Sequence, residues 1–173
     1  MIRPVQPGDR EGILAMFERC SPQTRFGRFH SPVRLFPAAH LEAVVQPSPD
    51  VAAFVAVTAT GTVVALASIH RVGDVAGEIG LLVEDRWQRR RLGSGLLACL
   101  VTAAGHLELR EMHASIHAEV RWVLALLRAR LPGMHARHIR EIYHVRAAVP
   151  MVGDDTSTIA RVAASGCTAS AAP

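Results

Sequence analysis

The most informative stretch of the sequence is Val83-Glu84-Asp85-Arg86-Trp87-Gln88-Arg89-Arg90-Arg91-Leu92-Gly93-Ser94-Gly95-Leu96-Leu97. A β-prone segment ends at its start, a basic loop follows, and an apolar helical pattern begins near Gly93. Unpaired N–H groups at a helix start attract anions, and the helix dipole adds to this attraction. Gly93 and Gly95 leave the backbone accessible, and the arginines add charge with a geometry suited to phosphate. The stretch therefore predicts a pyrophosphate site.

Two common phosphate-binding motifs are excluded by the same sequence. A dinucleotide-binding fold would carry Gly-x-Gly-x-x-Gly after the first strand of the chain, where none occurs. A P-loop requires Gly-Lys-Ser/Thr, and all 19 basic residues counted as Lys or Arg are Arg. The chain also contains no Asn. The anion site is therefore of another kind, lying deep in the chain after several strands.

The pattern of the remaining sequence predicts a mixed α/β class. Strands are predicted over 1–7, 51–58, 63–70, 77–84, 109–118 and 140–149. Helices are predicted from Asp9 as N-cap to about Cys20, and over 38–45, 93–106 and 119–130. Residues 21–37 are predicted to form a loop or a broken helix. We expect one domain over 1–150 and a disordered tail over 151–173.

Composition limits the class of protein further. The chain has 173 residues, of which 50% are apolar and 20% charged, which fits one globular domain and excludes a disordered chain. Three cysteines are too few for a disulfide framework or a zinc site. His113 and His117 share one face of a predicted strand but lack a third ligand, so no metal is expected.

Charge and hydropathy give expectations about partners and location. The net charge of +4 is spread among 15 acidic residues, so this is not a basic arm, and no helix-turn-helix pattern occurs. Nucleic acid is therefore not the expected partner. No run of 18 apolar residues is present and the start lacks an apolar signal region, so no membrane contact and a cytoplasmic location are expected.

With these elements in place, the chain resembles the GNAT superfamily of N-acetyltransferases. That family carries Gln/Arg-x-x-Gly-x-Gly/Ala between its fourth strand and third helix, where it binds the pyrophosphate of acetyl-CoA. Two registers match. In the favoured one Gln88 opens the motif, Arg91 replaces the first glycine and Gly93 is the second. In the other, Arg90, Gly93 and Gly95 fit the pattern, but Trp87 and Gln88 fall out of place.

The resemblance implies a mixed sheet of six to seven strands flanked by about four helices. It implies that the fourth and fifth strands splay apart and that main-chain groups of Leu81, Leu82 and Val83 pair with the pantetheine arm. The pyrophosphate would be held by consecutive residues of the loop and helix start, namely Gln88, Arg89, Arg90, Arg91, Leu92, Gly93, Ser94 and Gly95. Acetyl-CoA, or another short acyl-CoA, is the implied co-substrate.

The resemblance also implies a reaction, in which a primary amine attacks the thioester directly within a ternary complex. Glu78 lies where many GNAT enzymes place a catalytic base, and the alternative is a solvated or ion-paired Glu78. The backbone N–H of Val83 would polarise the thioester carbonyl. The family often carries Asn and then Tyr on its fourth helix, where this chain has Val120 and Leu127. Tyr143 is the candidate acid, with a structural tyrosine as the alternative.

The acceptor side is less defined. Arg25-Phe26-Gly27-Arg28-Phe29 resembles a segment of bacterial GNAT proteins similar to protein-lysine acetyltransferases, and the alternative is core Phe with solvated Arg. The amine would belong to a small molecule or to a protein lysine, and a homodimer is compatible with the sequence. The alternative function is a GNAT-fold module that binds acyl-CoA for regulation with little or no turnover.

Overall fold

The computed structural model describes residues 1–131 and 133–150. The tail 151–173, for which the sequence predicts disorder, lies outside the described residues. The strands are β1 (Ile2–Pro4), β2 (Val51–Val57), β3 (Val63–Val72), β4 (Ala76–Val83), β5 (Glu111–His117), β6 (His135–Ile139) and β7 (Ile142–Ala148). The helices are α1 (Arg10–Arg19), α2 (Pro22–Phe29), α3 (Ala38–Val45), α4 (Leu92–His106) and α5 (Trp122–Arg128).

The described strands form one sheet in the order β1-β2-β3-β4-β5-β7-β6. All neighbours are antiparallel except β4 and β5, which are parallel and are joined through α4. Parallel neighbours need such a helical crossover. The expected α/β class and mixed sheet are therefore confirmed, with seven described strands and five described helices.

Helices cover both faces of the sheet and divide the core into two clusters. On one face α4 contributes Leu96, Leu97 and Leu100, which are fully buried against the sheet. On the other face α1 contributes Ile13 and Phe17 to a cluster that includes residues of α3, β2 and β3. Since α2 contacts β4 and β5 on this second face, it lies over the only parallel strand pair of the described sheet.

Two elements differ from the sequence-based expectations. The segment predicted as a loop or broken helix contains α2, which is capped by the Ser21 hydroxyl accepting from the Thr24 N–H at 3.2 Å. The strand β6 was not predicted at all. It is exposed along its whole length and so shows no alternation of apolar residues. In its turn to β7, Arg140 has a φ of 54°, a conformation that Gly or Asn usually adopts, so no turn signal appears in the sequence there.

Smaller corrections concern individual side chains. Asp9 stands at the N-cap of α1 as predicted, but its carboxylate accepts from Arg3 and from the Gln6 N–H instead of capping the helix. Trp122, the first residue of α5, is 57% exposed. Among the described residues, no helix combines the length and the hydropathy needed to cross a membrane.

Candidate active site

A cleft opens in the sheet because β4 and β5 pair over only three residues each. Ala76–Glu78 lie beside Glu111–His113, and beyond them no pairing continues. A cavity of about 470 Å³ occupies this gap, with walls from α2, β4, β5, the loop after β4, and α5. The splaying of these two strands, expected from the resemblance, is confirmed by this register.

The edge of β4 that borders the cleft presents main-chain groups of Leu81 and Val83. In the ladder between β3 and β4 the N–H of Glu84 donates to the carbonyl of Val64 at 3.0 Å. Val83 therefore occupies a non-hydrogen-bonded position, and its peptide groups point away from β3. The same alternation turns Leu81 toward the cleft and turns Leu82 back to β3. Only Leu81 and Val83 of the predicted trio thus offer main-chain groups there.

The start of α4 forms the far end of the cleft. The N–H groups of Leu92, Gly93 and Ser94 belong to the first helical turn, so they have no acceptor within the helix. The N–H of Gly95 donates to the carbonyl of Arg91 at 3.1 Å and is already engaged. Three adjacent donors at a helix N-terminus make a site for an anion.

The backbone geometry also bears on the two registers of the motif. Arg91 has a φ of 62°, the left-handed conformation that normally calls for glycine, and it stands where the favoured register places the first glycine. A Cβ at Gly95 would lie 2.8 Å from Ile2, so this glycine permits close packing of α4 on β1. Gly93, by contrast, lines the cavity.

Arginines surround the start of α4. The side chains of Arg89, Arg90 and Arg91 are exposed. The Arg90 guanidinium lies over the ring of the half-buried Trp87, 5.0 Å from the centroid. Arg86 pairs with the buried carboxylate of Glu84 and is thereby occupied. The rim of the helix start is consequently rich in exposed cations.

Hydrogen bonds fasten the loop before α4 to α2. The side chain of Gln88 donates to Thr24 Oγ1 and to the Val83 carbonyl, both at 3.1 Å. Asp85 accepts from the N–H of Ser21 at 2.8 Å and from the Thr24 hydroxyl at 2.8 Å. The side chain of Gln88 thus braces the loop, a role that the sequence did not indicate.

Glu78 lies at the point where β4 and β5 begin to diverge. It pairs in register with His70 on β3 and with His113 on β5, and its side chain is exposed. It lines the cavity in the cleft and also a second groove of about 630 Å³. The predicted base is thus accessible from both spaces.

The structure does not bring Tyr143 to Glu78. The Tyr143 ring is half-buried and stacks on His138 with centroids 4.2 Å apart, and it is not among the residues that line the cleft cavity. Val120 and Leu127, at the positions where the resembled family often has Asn and Tyr, do line that cavity. A structural role for Tyr143 fits this placement, and the wall at these positions is apolar.

The predicted histidine pair has separate partners. His113 Nε2 lies 2.9 Å from Glu111, and His117 Nε2 lies 3.4 Å from Glu141. The described residues contain no group of three or more side chains suited to hold a metal ion.

Sequence reasoning missed a cluster of polar side chains on α2, α3 and β3, which begins at Arg28 in the cleft. Arg28 lines the cavity, and its guanidinium covers Gly80 of β4, where a Cβ would collide with it. It contacts His40 Nε2 at 3.2 Å, and the rings of His40 and His70 lie with centroids 4.9 Å apart at an interplanar angle of 35°. The prediction of a loop or a broken helix over 21–37 did not indicate that Arg28 and Phe29 lie on one helix over the sheet.

Comparison with known proteins now adds to this geometry. The model of the acetyltransferase (GNAT) family matches residues 13–129. This chain belongs to the GNAT acetyltransferase family. No curated protein sequence matches it.

Solved structures of GNAT proteins share the fold. The GNAT domain of PAT from S. lividans superposes with a TM-score of 0.76 at 18% identity, over 85% of this chain and 89% of that one. Spermidine N-acetyltransferase from Vibrio cholerae, in complex with CoA and spermine, superposes with a TM-score of 0.66 at 12% identity, over 86% of this chain and 95% of that one. A cAMP-binding acyltransferase from Mycobacterium smegmatis superposes with a TM-score of 0.60 at 23% identity. The match covers 96% of this GNAT chain and 49% of that one, so this chain spans about half of its length. The solved structures show the GNAT fold, and the family match gives acyl transfer as the general activity.

Proposed function

We propose that this GNAT protein transfers an acetyl or another short acyl group from acyl-CoA to a primary amine, by direct attack of the amine in a ternary complex. The observation that carries the proposal is the continuity of one cavity. The anion site at the start of α4 and the open edge of β4 border the same space, which reaches the exposed Glu78.

Along the cleft, the described residues suit the successive parts of a CoA molecule. The N–H groups of Leu92, Gly93 and Ser94 suit a pyrophosphate, and the exposed arginines beside them add attraction. The main-chain groups of Leu81 suit an amide of the pantetheine arm, which would extend the sheet as a strand does, while the Val83 carbonyl accepts from Gln88. Apolar side chains of α5 line the opposite wall, which suits the methylene groups of that arm.

Two groups carry the chemistry of this chain. Glu78 accepts a proton from the incoming ammonium, because only the neutral amine is a nucleophile. The Val83 N–H points into the cleft and donates to the thioester oxygen, where negative charge develops. The acyl thioester supplies an activated carbonyl with a thiolate leaving group. Since thiols ionise near pH 8.5, departure does not depend on a strong acid, which is consistent with the apolar positions Val120 and Leu127.

A thiol-release assay with acetyl-CoA and a panel of amines tests the proposal. Glu78→Gln should lower kcat by about 100-fold while the Kd for CoA stays unchanged in calorimetry. Glu11→Gln, an exposed residue on α1, is the matched control and should retain wild-type turnover. Unchanged turnover in Glu78→Gln would remove Glu78 as the base.

The apolar wall at Val120 and Leu127 also favours the second candidate, an acyl-CoA-binding regulatory module. Tight binding of CoA without thiol release for any amine in the panel would support that candidate and contradict the first.

A further inference from the structure

Arg28 is a cation in the cleft that has no carboxylate partner among the described residues. It extends from α2 across Gly80 of β4, and its carbon Cζ lies 4.9 Å from the centre of the Phe29 ring. Its hydrogen-bonding neighbour is His40, at 3.2 Å. Within residues 1–131 and 133–150 it forms no salt bridge, whereas Arg3 and Arg19 pair with Asp9 and Glu84.

The surroundings of Arg28 do not neutralise it. Burial lowers the pKa of His30, of His40 and of His70, so all three are neutral near pH 7 and supply no anion. Burial also lowers the pKa of Arg28, while Glu78 opposes this shift. A desolvated guanidinium is costly for the fold unless a partner compensates it. An anionic ligand in the cavity would offset this cost.

The positions of Arg28 and Glu78 define a pair of opposite charges. Both line the cleft cavity, and they interact electrostatically without forming a salt bridge. A ligand that carries an ammonium and a carboxylate a few atoms apart is complementary to such a pair. Its ammonium would face Glu78 and its carboxylate would receive the guanidinium donors in bidentate geometry.

The second groove that Glu78 lines also carries positively charged side chains. Arg137 on β6 and Arg146 on β7 line it together with His113. Both arginines are exposed, and their charge beside Glu78 favours the approach of anionic molecules and opposes that of polycations.

We propose that the acceptor is an amino acid or a close analogue, a small amine that also carries a carboxylate, and that Arg28 holds this carboxylate. The assignment rests on the proposed acyl transfer and narrows its acceptor. A polyamine would place a second positive charge against Arg28, which is unfavourable. A lysine side chain within a protein has no carboxylate near its amine and would leave Arg28 without a partner.

The test compares acids with their own neutral derivatives. Thiol release from acetyl-CoA is measured for a panel of amino acids and for the carboxamide of each, using the full chain. The kcat/KM for the preferred acid should exceed that for its carboxamide by about 100-fold or more, because loss of the carboxylate leaves a desolvated charge unpaired. Equal use of acids and carboxamides would overturn the proposal and leave the proposed acyl transfer intact.

Variants of Arg28 give a second readout. Arg28→Met should remove the preference for the acid, Arg28→Lys should retain part of it, and Arg34→Met, at an exposed position, should leave it unchanged. Calorimetric titration of the amino acid into the protein–CoA mixture should show binding that Arg28→Met abolishes. If Arg28→Met fails to fold by circular dichroism, Arg28→Lys and the wild-type comparison still decide.

The two proposals fail differently. Absence of thiol release with every amine contradicts acyl transfer, whereas binding of the amino acid that depends on Arg28 would still support the ligand class. Binding that is the same in wild type and Arg28→Met contradicts the role of Arg28, whatever the turnover.

Discussion

Asp85 accepts two hydrogen bonds from Ser21, at 2.8 Å from the N–H and at 2.7 Å from the hydroxyl. The contact joins the loop that leads to the anion site with the first residue of the segment that carries Arg28. The halves of the cleft that would hold the phosphate and the acceptor are therefore fastened together at one end. Gln88 reinforces the junction through Thr24.

Removing the Asp85 carboxylate should loosen α2 locally. Burial alone would raise the pKa of Asp85, but the hydrogen bonds from Ser21 and Thr24 outweigh it and lower this pKa, so the carboxylate is charged at neutral pH. In Asp85→Ala we expect amide exchange over residues 25–29 to accelerate about tenfold, because charged hydrogen bonds stabilise this end of the helix. Hydrogen exchange with mass spectrometry measures it.

Asp74→Ala, in an exposed turn, is the control and should leave exchange in α2 unchanged. The same exchange rates in Asp85→Ala and wild type would show that the contact does not hold α2.

Gly93 and Gly95 should differ in their effect on CoA binding. Gly93→Asp places a negative side chain beside the N–H donors, so we expect the Kd for CoA to rise by about 100-fold or more. Gly95→Ala meets Ile2 and keeps its helical hydrogen bond, so the Kd should stay within about twofold. Calorimetry with CoA measures both. Equal Kd values for Gly93→Asp and wild type would place the phosphates elsewhere.

Arg91 and Arg90 should differ in their effect on stability. Arg91 adopts a left-handed backbone that costs a non-glycine residue about 1–2 kcal/mol, whereas Arg90 has no positive φ. Glycine at an ordinary position costs about 0.5–1 kcal/mol. The free energy of unfolding of Arg91→Gly should therefore exceed that of Arg90→Gly by about 1 kcal/mol or more, as measured by urea denaturation. A lower value for Arg91→Gly would contradict the left-handed assignment.

The sequence predicted the elements that have a clear pattern of apolar and charged residues. The apolar strands β2 to β4, the helix α4 and the loop between them follow from β-branched runs, helical spacing and charge. The helix α2 was not separated from a loop because Pro22 and the density of Arg and Phe allowed either a loop or a broken helix over 21–37. Its polar residues nevertheless lie on a helix that is capped by Ser21 and packed on β4.

The candidate site was predictable only where the backbone defines it. The open edge of β4 and the donors at the start of α4 depend on strand order, so the sequence could place Val83 and Gly93 beside the cleft. Arg28 reaches the cleft by tertiary packing between residues far apart in sequence, and His40 contacts Arg28. No local pattern encodes the proximity of Arg28 to Gly80 or that of Gly95 to Ile2.

His40 should make the stability of the protein depend on pH. Burial, followed by the charge of Arg28, lowers the pKa of His40 to about 3 in the folded state, against about 6.5 when unfolded. Both states are neutral at this group above pH 6.5. As the pH falls below 6.5 the unfolded state takes up the proton and the folded state does not, so stability is lost, by up to about 1.4 kcal/mol per pH unit.

Urea denaturation at pH 7, 6 and 5 should show this loss in the wild type. In His40→Gln it should be smaller by about 2 kcal/mol between pH 7 and 5, whereas His135→Gln, on the exposed strand β6, should follow the wild type. Identical slopes for wild type and His40→Gln would show that His40 protonates equally in both states.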